Sequence, residues 1–151
     1  LHHIGPLPDD AVADVRAHLA QLGIAPERFR HVGAVPSLWR CLRELDADVY
    51  MTSAPLGGGR AAIEAQGCGL PIVYFDPRDS AQPLLARGVY NPSAHGWSTP
   101  ANLPDALRAA LADATAQSAA SRAFYDAGFS SAAFAAAMQR AVQRASAGIE
   151  A

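Results

Sequence analysis

The segment from Val49 to Phe75 constrains this chain more than any other. An apolar, strand-like run, Val49-Tyr50-Met51-Thr52, leads toward Gly57-Gly58-Gly59. Two helical turns carrying one carboxylate, Glu64, follow, and Gly67-Cys68-Gly69-Leu70-Pro71 stops them ahead of a second strand-like run, Ile72 to Phe75. A strand, a glycine-rich turn, a short helix and another strand commit the two strands to parallel pairing, because antiparallel neighbours need no helical crossover. The glycines also leave backbone amides uncovered at a helix N-terminus, where an anion is favoured.

The rest of the chain repeats the alternation. Leu1 to Ile4 reads as a strand closed by Gly5-Pro6. Asp9 or Asp10 caps a helix with Val12, Val15, Leu19 and Leu22 on one face, ended by Gly23. Phe29 to Val32 reads as a second strand, and Ser37 caps a helix carrying Leu38, Cys41, Leu42 and Leu45. Val49 to Thr52 and Ile72 to Phe75 are the third and fourth strands. Strands apolar on both faces, separated by helices, imply an α/β domain with a parallel sheet covered on both sides.

Beyond Phe75 the pattern loosens. Asp76-Pro77-Arg78-Asp79 reads as a turn, residues 80–86 as a helix, Gly88-Val89-Tyr90 as a short fifth strand, and Asn91 to Pro100 as a loop holding His95-Gly96-Trp97. A helix with Leu103, Leu107 and Leu111 in register follows, with Pro104 near its start. From Ser118 the chain is Ala-rich and helical. Ser130 is an N-cap, Phe129 and Phe134 stand at the positions of a hydrophobic staple, and Phe134, Met138 and Val142 make a core stripe. No internal repeat is visible.

Composition excludes several classes. A chain of 151 residues, 50% hydrophobic and 17% charged, is one ordinary domain rather than a disordered segment. Its twelve basic residues are all Arg, and a formal charge of −2 argues against a nucleic-acid binder. Cys41 and Cys68 lack metal-like neighbour spacing and fit thiols in a reducing cytoplasm, with a single disulfide left open. There is no signal-peptide pattern and no run long enough to span a membrane. The chain begins inside a strand and without Met, as a piece cut from something longer would.

The chemistry of the glycine segment has several readings. The plainest is that a tight strand-to-helix turn needs glycine and Glu64 is a solvated helix residue. A second is dinucleotide binding, since Gly57-x-Gly59-x-x-Ala62 fits that fingerprint and Asp76 follows the next strand. Ser53-Ala54-Pro55-Leu56 nevertheless separate the strand from the first glycine, the helix stops after about two turns, and the unit is the third strand–helix step rather than the first. A third reading pairs a phosphate at the helix start with sugar hydroxyls at Glu64, which together describe a nucleotide-sugar. Three other patterns carry less. Asp46-Ala47-Asp48 is a DxD, but it precedes its strand and so sits at a helix–strand turn. His2 and His3 point to opposite faces of a strand and cannot chelate together. His95 beside Trp97 could line a cleft from its loop.

Asp48-Val49-Tyr50-Met51-Thr52-Ser53, the glycines, and Glu64-Ala65-x-Gly67-x-Gly69-x-Pro71-Ile72-Val73 together resemble the donor-binding half of GT-B-fold glycosyltransferases, in particular the group 1 enzymes of polysaccharide and lipopolysaccharide synthesis. The likeness extends to His3-Ile4-Gly5-Pro6, to Arg30-His31-Val32-Gly33-Ala34-Val35, to Leu38 through Asp48, to Trp97-x-Thr99-Pro100 through Leu107, and to Ser121-Arg122 through Phe134. It therefore covers most of residues 3–142. The resemblance implies a Rossmann-like open parallel sheet over residues 1–116, lacking a first strand–helix unit. Residues 117–151 would be C-terminal helices packed on that sheet or on an absent N-terminal domain.

The resemblance also implies site roles. Glu64 would hold the ribose hydroxyls, and Gly57, Gly58 and Gly59 the diphosphate through their amides. Arg60 would supply counter-charge, with Ser53 and Leu56 completing the donor-binding set. Many members of the family carry a second Glu eight positions before the first, against the transferred sugar; here that position is Leu56. The implied function is transfer of a sugar from a nucleoside-diphosphate-sugar to a glycan or lipid-linked acceptor in cell-surface polysaccharide synthesis. No cofactor and no metal are required. Membrane association is at most peripheral, and the location is cytoplasmic, including the inner membrane surface. The acceptor and the catalytic base belong to the absent domain, so the fragment alone would transfer nothing. The alternatives are a nucleotide-sugar 2-epimerase on the same fold and a non-catalytic binding module.

Overall fold

The computed structural model describes residues 1–54, 58–76 and 88–149. They fall in two compact units, Leu1–Cys41 and Leu42–Ala151. In the first, β1 (His2–Ile4) and β2 (Arg30–Gly33) pair in parallel, His3 opposite His31. Helix α1 (Asp9–Gln21) joins them, followed by a 3-10 turn at Pro26–Arg28. The helix buries Val12, and Asp9 and Asp10 lie in its first turn, where their charge suits the helix dipole. Neither caps it: Pro8 takes that position, and Asp10 Oδ1 accepts only the adjacent Ala11 amide. Gly23 ends the helix as expected, with a left-handed φ of 69°.

Helix α2 (Leu38–Glu44) begins with the Arg40 amide donating to Ser37 Oγ at 3.3 Å, the expected cap. Its far end turns at Asp46, which takes the left-handed conformation at φ 48° that Asp tolerates better than most residues.

The second unit holds a parallel sheet in the order β3 (Tyr50–Met51), β4 (Ile72–Phe75), β5 (His95–Trp97). Helix α3 (Gly59–Gly67) connects β3 to β4 and packs on β4 and on α5 (Ala114–Gly128). Helix α4 (Leu103–Ala112) covers β4 and β5, and α6 (Ser131–Ile149) packs on α5. The register Tyr50–Ile72, Val73–His95 and Tyr74–Gly96 sorts the side chains. Tyr50, Thr52, Ile72, Tyr74 and Gly96 share one face; Met51, Val73, Phe75, His95 and Trp97 share the other. On the second face Val73 forms a core with Ala106 and Ala110, joined by Val49, Trp97, Leu103 and Leu107. Pro104 is tolerated because it falls in the first turn of α4, where an amide needs no helical acceptor.

Further expectations are corrected. The fifth strand is His95–Trp97, inside the supposed loop, whereas Gly88 to Tyr90 form a turn. Gly96 eases that pairing: a Cβ there would lie 3.1 Å from Tyr74 Cζ, a tight contact that glycine avoids beneath the tyrosine ring. The α6 stripe is not core. Phe134, Met138 and Val142 are 66%, 50% and 60% exposed, while Ala133 and Ala136 are the partly covered positions of residues 131–146. Ser130 does cap α6, its Oγ accepting the Ala133 amide at 3.1 Å. The staple is absent, since Phe129 turns to Phe124, with ring centroids 5.5 Å apart, and Phe134 faces out. The turn expected at Asp76–Asp79 and the helix at 80–86 fall mostly or wholly outside the described residues.

Candidate functional site

Strand β3 delivers Thr52 to the carboxyl edge of the sheet, its amide donating to the Val73 carbonyl at 2.9 Å. That edge is where open parallel sheets bind ligands. Leu56 and Gly57 lie outside the described residues, and Ser53 is exposed on the approach. The chain returns at Gly58, and the helical ladder of α3 starts with the Ala62 amide bonding to the Gly58 carbonyl at 2.7 Å. The amides of Gly59, Arg60 and Ala61 therefore stand ahead of the ladder at the positive end of the helix.

Neither glycine is there for a left-handed backbone: Gly58 has φ −110°. A Cβ at Gly58 would sit 3.4 Å from the Tyr50 hydroxyl and 3.8 Å from Thr52 Cβ, whereas one at Gly59 would meet nothing within 4 Å. Gly58 keeps the backbone bare on the side facing Tyr50 and Thr52, and Gly59 opens onto free space.

Glu64 lies on the same helix, its side chain 24% exposed, and Arg60 Nε donates to its Oε1 at 2.8 Å. Arg60 itself is 92% exposed, so this i,i+4 pair contributes little to stability. Burial holds the Tyr50 phenol above its usual pKa, and the neighbouring Tyr90 and Glu64 raise it further. The phenol is thus a neutral hydrogen-bond donor at physiological pH. Tyr90 stacks on Tyr74, centroids 4.5 Å apart, completing an aromatic wall on the α3 side of the sheet.

The other end of α3 is closed. Gly69, at φ 78°, lets the Leu70 amide reach the Ala65 carbonyl and the Gly69 amide the Gln66 carbonyl, a Schellman ending. Arg122 of α5 donates to the Gly67 carbonyl at 2.8 Å. Fully buried Gln66 accepts from the Asn91 amide and Nδ2, and donates to the Val89 carbonyl at 2.7 Å; Asn91 Nδ2 also donates to Ser121 Oγ. This network fixes α3 to α5 and to the turn after Gly88. A polar residue among Ala62 and Ala65 on an apolar helix face was its only signal in the sequence.

The remaining candidates lie elsewhere. Asp46 and Asp48 are exposed at the α2–β3 turn. His3 sits beside His31 rather than His2, ring centroids 5.4 Å apart. His95 and Trp97 share the sheet face that α4 covers, opposite Tyr50 and Thr52. Cys41 and Cys68 stand as thiols, and burial raises the Cys68 pKa despite opposing charges at Arg43 and Arg122. Among the described residues no three His, Cys, Asp or Glu side chains gather as metal ligands would.

No protein-family model matches the chain, and no curated protein sequence matches it. Solved structures do. A point mutant of Thermobaculum terrenum O-GlcNAc transferase superposes over 91% of this chain with a TM-score of 0.56 at 18% identity. TarM superposes over 91% with a TM-score of 0.59 at 16% identity. The chain spans 28% of each of those proteins. In fold, with its parallel sheets flanked by helices, this chain is a Rossmann-like α/β domain of the GT-B kind.

Proposed function

We propose that this chain is the donor-binding part of a glycosyltransferase that moves a sugar from a nucleoside-diphosphate-sugar to a glycan or lipid-linked acceptor. The observation that carries this reading is the start of α3. Bare amides at the N-terminus of α3 follow the carboxyl end of β3, and a partly buried carboxylate, Glu64, lies on the same helix. Glu64 accepts hydrogen bonds from the ribose hydroxyls. The amides following Gly58 take the diphosphate and stabilise its charge as it leaves. Arg60 adds a mobile positive charge at that end, so the reading requires no metal. The fold likeness to an O-GlcNAc transferase supports a sugar-transfer role.

In this reading the acceptor and the catalytic base come from a second domain, and this chain alone binds donor without transferring it. No helix among the described residues is long and apolar enough to cross a membrane. We assign the parent to cell-surface polysaccharide synthesis on the cytoplasmic side, with membrane contact at most peripheral.

Calorimetric titration with UDP, GDP, ADP and TDP tests the site. At least one binds, and Glu64→Ala weakens it about tenfold or more, because each hydrogen bond to a charged group is worth roughly 1.5–3 kcal/mol. The 2′-deoxy form of the preferred nucleotide loses affinity for the native chain in the same way. Unchanged affinity in Glu64→Ala would sink the ribose assignment.

A further inference from the structure

Thr52 is only 3% exposed, and its Oγ1 has no hydrogen-bond partner among the described residues. A buried hydroxyl left unpaired destabilises a fold, and valine would fill the same space in a strand without that cost. The hydroxyl also sits at a particular place. Thr52 Cβ is 3.8 Å from where a Cβ would stand on Gly58, one residue before α3 begins. Thr52 thus adjoins the residue from which α3 starts, and the amides of Gly59, Arg60 and Ala61 follow directly, ahead of the helical ladder.

We infer that Thr52 is a ligand-contacting residue, its hydroxyl donating to a phosphate oxygen of the nucleoside diphosphate at the α3 N-terminus. This deepens the donor-site reading and rests on it. Phosphate is the fitting partner because its oxygens only accept, as the helix amides beside Thr52 require. The ribose hydroxyls belong further along α3, at the acceptor Glu64. Gly58 leaves this space open: a Cβ there would lie 3.4 Å from the Tyr50 hydroxyl and 3.8 Å from Thr52 Cβ.

The test compares Thr52→Val and Thr52→Ser with the native chain, measuring affinity for the tightest of UDP, GDP, ADP and TDP and the melting temperature without nucleotide. Thr52→Val is expected to lose about tenfold in affinity while melting at the same temperature or a few degrees higher. Thr52→Ser, which keeps the hydroxyl, stays within about twofold of native affinity. Native affinity in Thr52→Val overturns the inference and leaves the donor site standing, provided Glu64→Ala still weakens binding. Equal loss in the Val and Ser variants also overturns it, since shape rather than the hydroxyl would then matter. If no nucleotide binds the native chain, the donor-site reading fails and this inference with it. Should Thr52→Val fail to fold, Thr52→Ala against Thr52→Ser reads the same difference.

Discussion

The two ends of the nine-residue helix α3 are built on opposite rules. At the C-terminus every device for satisfying a helix end is present: the left-handed Gly69, the Arg122 guanidinium on the Gly67 carbonyl, and the Gln66 amide locked to Asn91 and Val89. At the N-terminus no side chain among the described residues caps the helix. Gly58 stands where Ser, Thr, Asp or Asn would ordinarily satisfy an amide. The buried Thr52 hydroxyl beside it is unpaired too. One end of the helix is closed by several contacts and the other leaves its first amides uncapped, and the proposed donor site rests on that asymmetry.

The sharpest way to break this contrast is at Gln66. Gln66→Ala strands the Asn91 amide and the Val89 carbonyl in the interior, both of which it now satisfies. A loss of about 3 kcal/mol in urea unfolding is expected, since unpaired buried groups cost about 1–3 kcal/mol each. A loss below about 1 kcal/mol would mean that α3 is held mainly by Ala62 and Ala65 packing instead.

A matched pair of glycine substitutions sharpens it further. Gly69→Ala forces a side chain into a left-handed backbone, with its Cβ 3.1 Å from Ser118 Oγ, and should cost about 1–2 kcal/mol of stability. Gly58→Ala has no such strain and meets only ordinary contacts. It is expected to leave stability within about 0.5 kcal/mol of native while weakening nucleoside diphosphate affinity, because the methyl group covers the amides. Parallel urea and calorimetric measurements separate the two effects. Equal stability losses would erase the distinction between the ends.

The closed end was legible in the sequence and the open end only partly. Gly67-x-Gly69-x-Pro71 announces a helix stop because a left-handed glycine followed by proline has few other uses. Ser37 and Ser130 were readable as caps for a similar reason: their chemistry is local. Thr52 was not readable, since threonine is at home in any strand and only burial without a partner sets it apart. Strand β5 was missed because three residues are too few to show a period, and its defining constraint, Tyr74 over Gly96, is tertiary. The Phe134, Met138 and Val142 stripe shows a related limit. Periodicity states which residues share a helix face and says nothing about whether anything covers it.

The smallest expected effect concerns the aromatic wall beside the open end. Burial of Tyr50, with Tyr90 and Glu64 nearby, raises its pKa in the folded chain above the unfolded phenol value of about 10. The folded state therefore holds this proton more tightly than the unfolded state does. Its stabilising contribution is complete below about pH 10 and is lost as pH rises from there through the folded pKa. Cys68, also raised by burial, adds a slope of the same sign. Tyr50→Phe should leave stability nearly unchanged at neutral pH and reduce the fall in stability above about pH 10, while the Cys68 component remains. Chemical denaturation at a series of alkaline pH values reads that difference directly. If the alkaline slope is unaltered in Tyr50→Phe, the phenol is not held protonated beside Glu64, and the wall that this side chain offers to an incoming ligand is wetter than its burial implies.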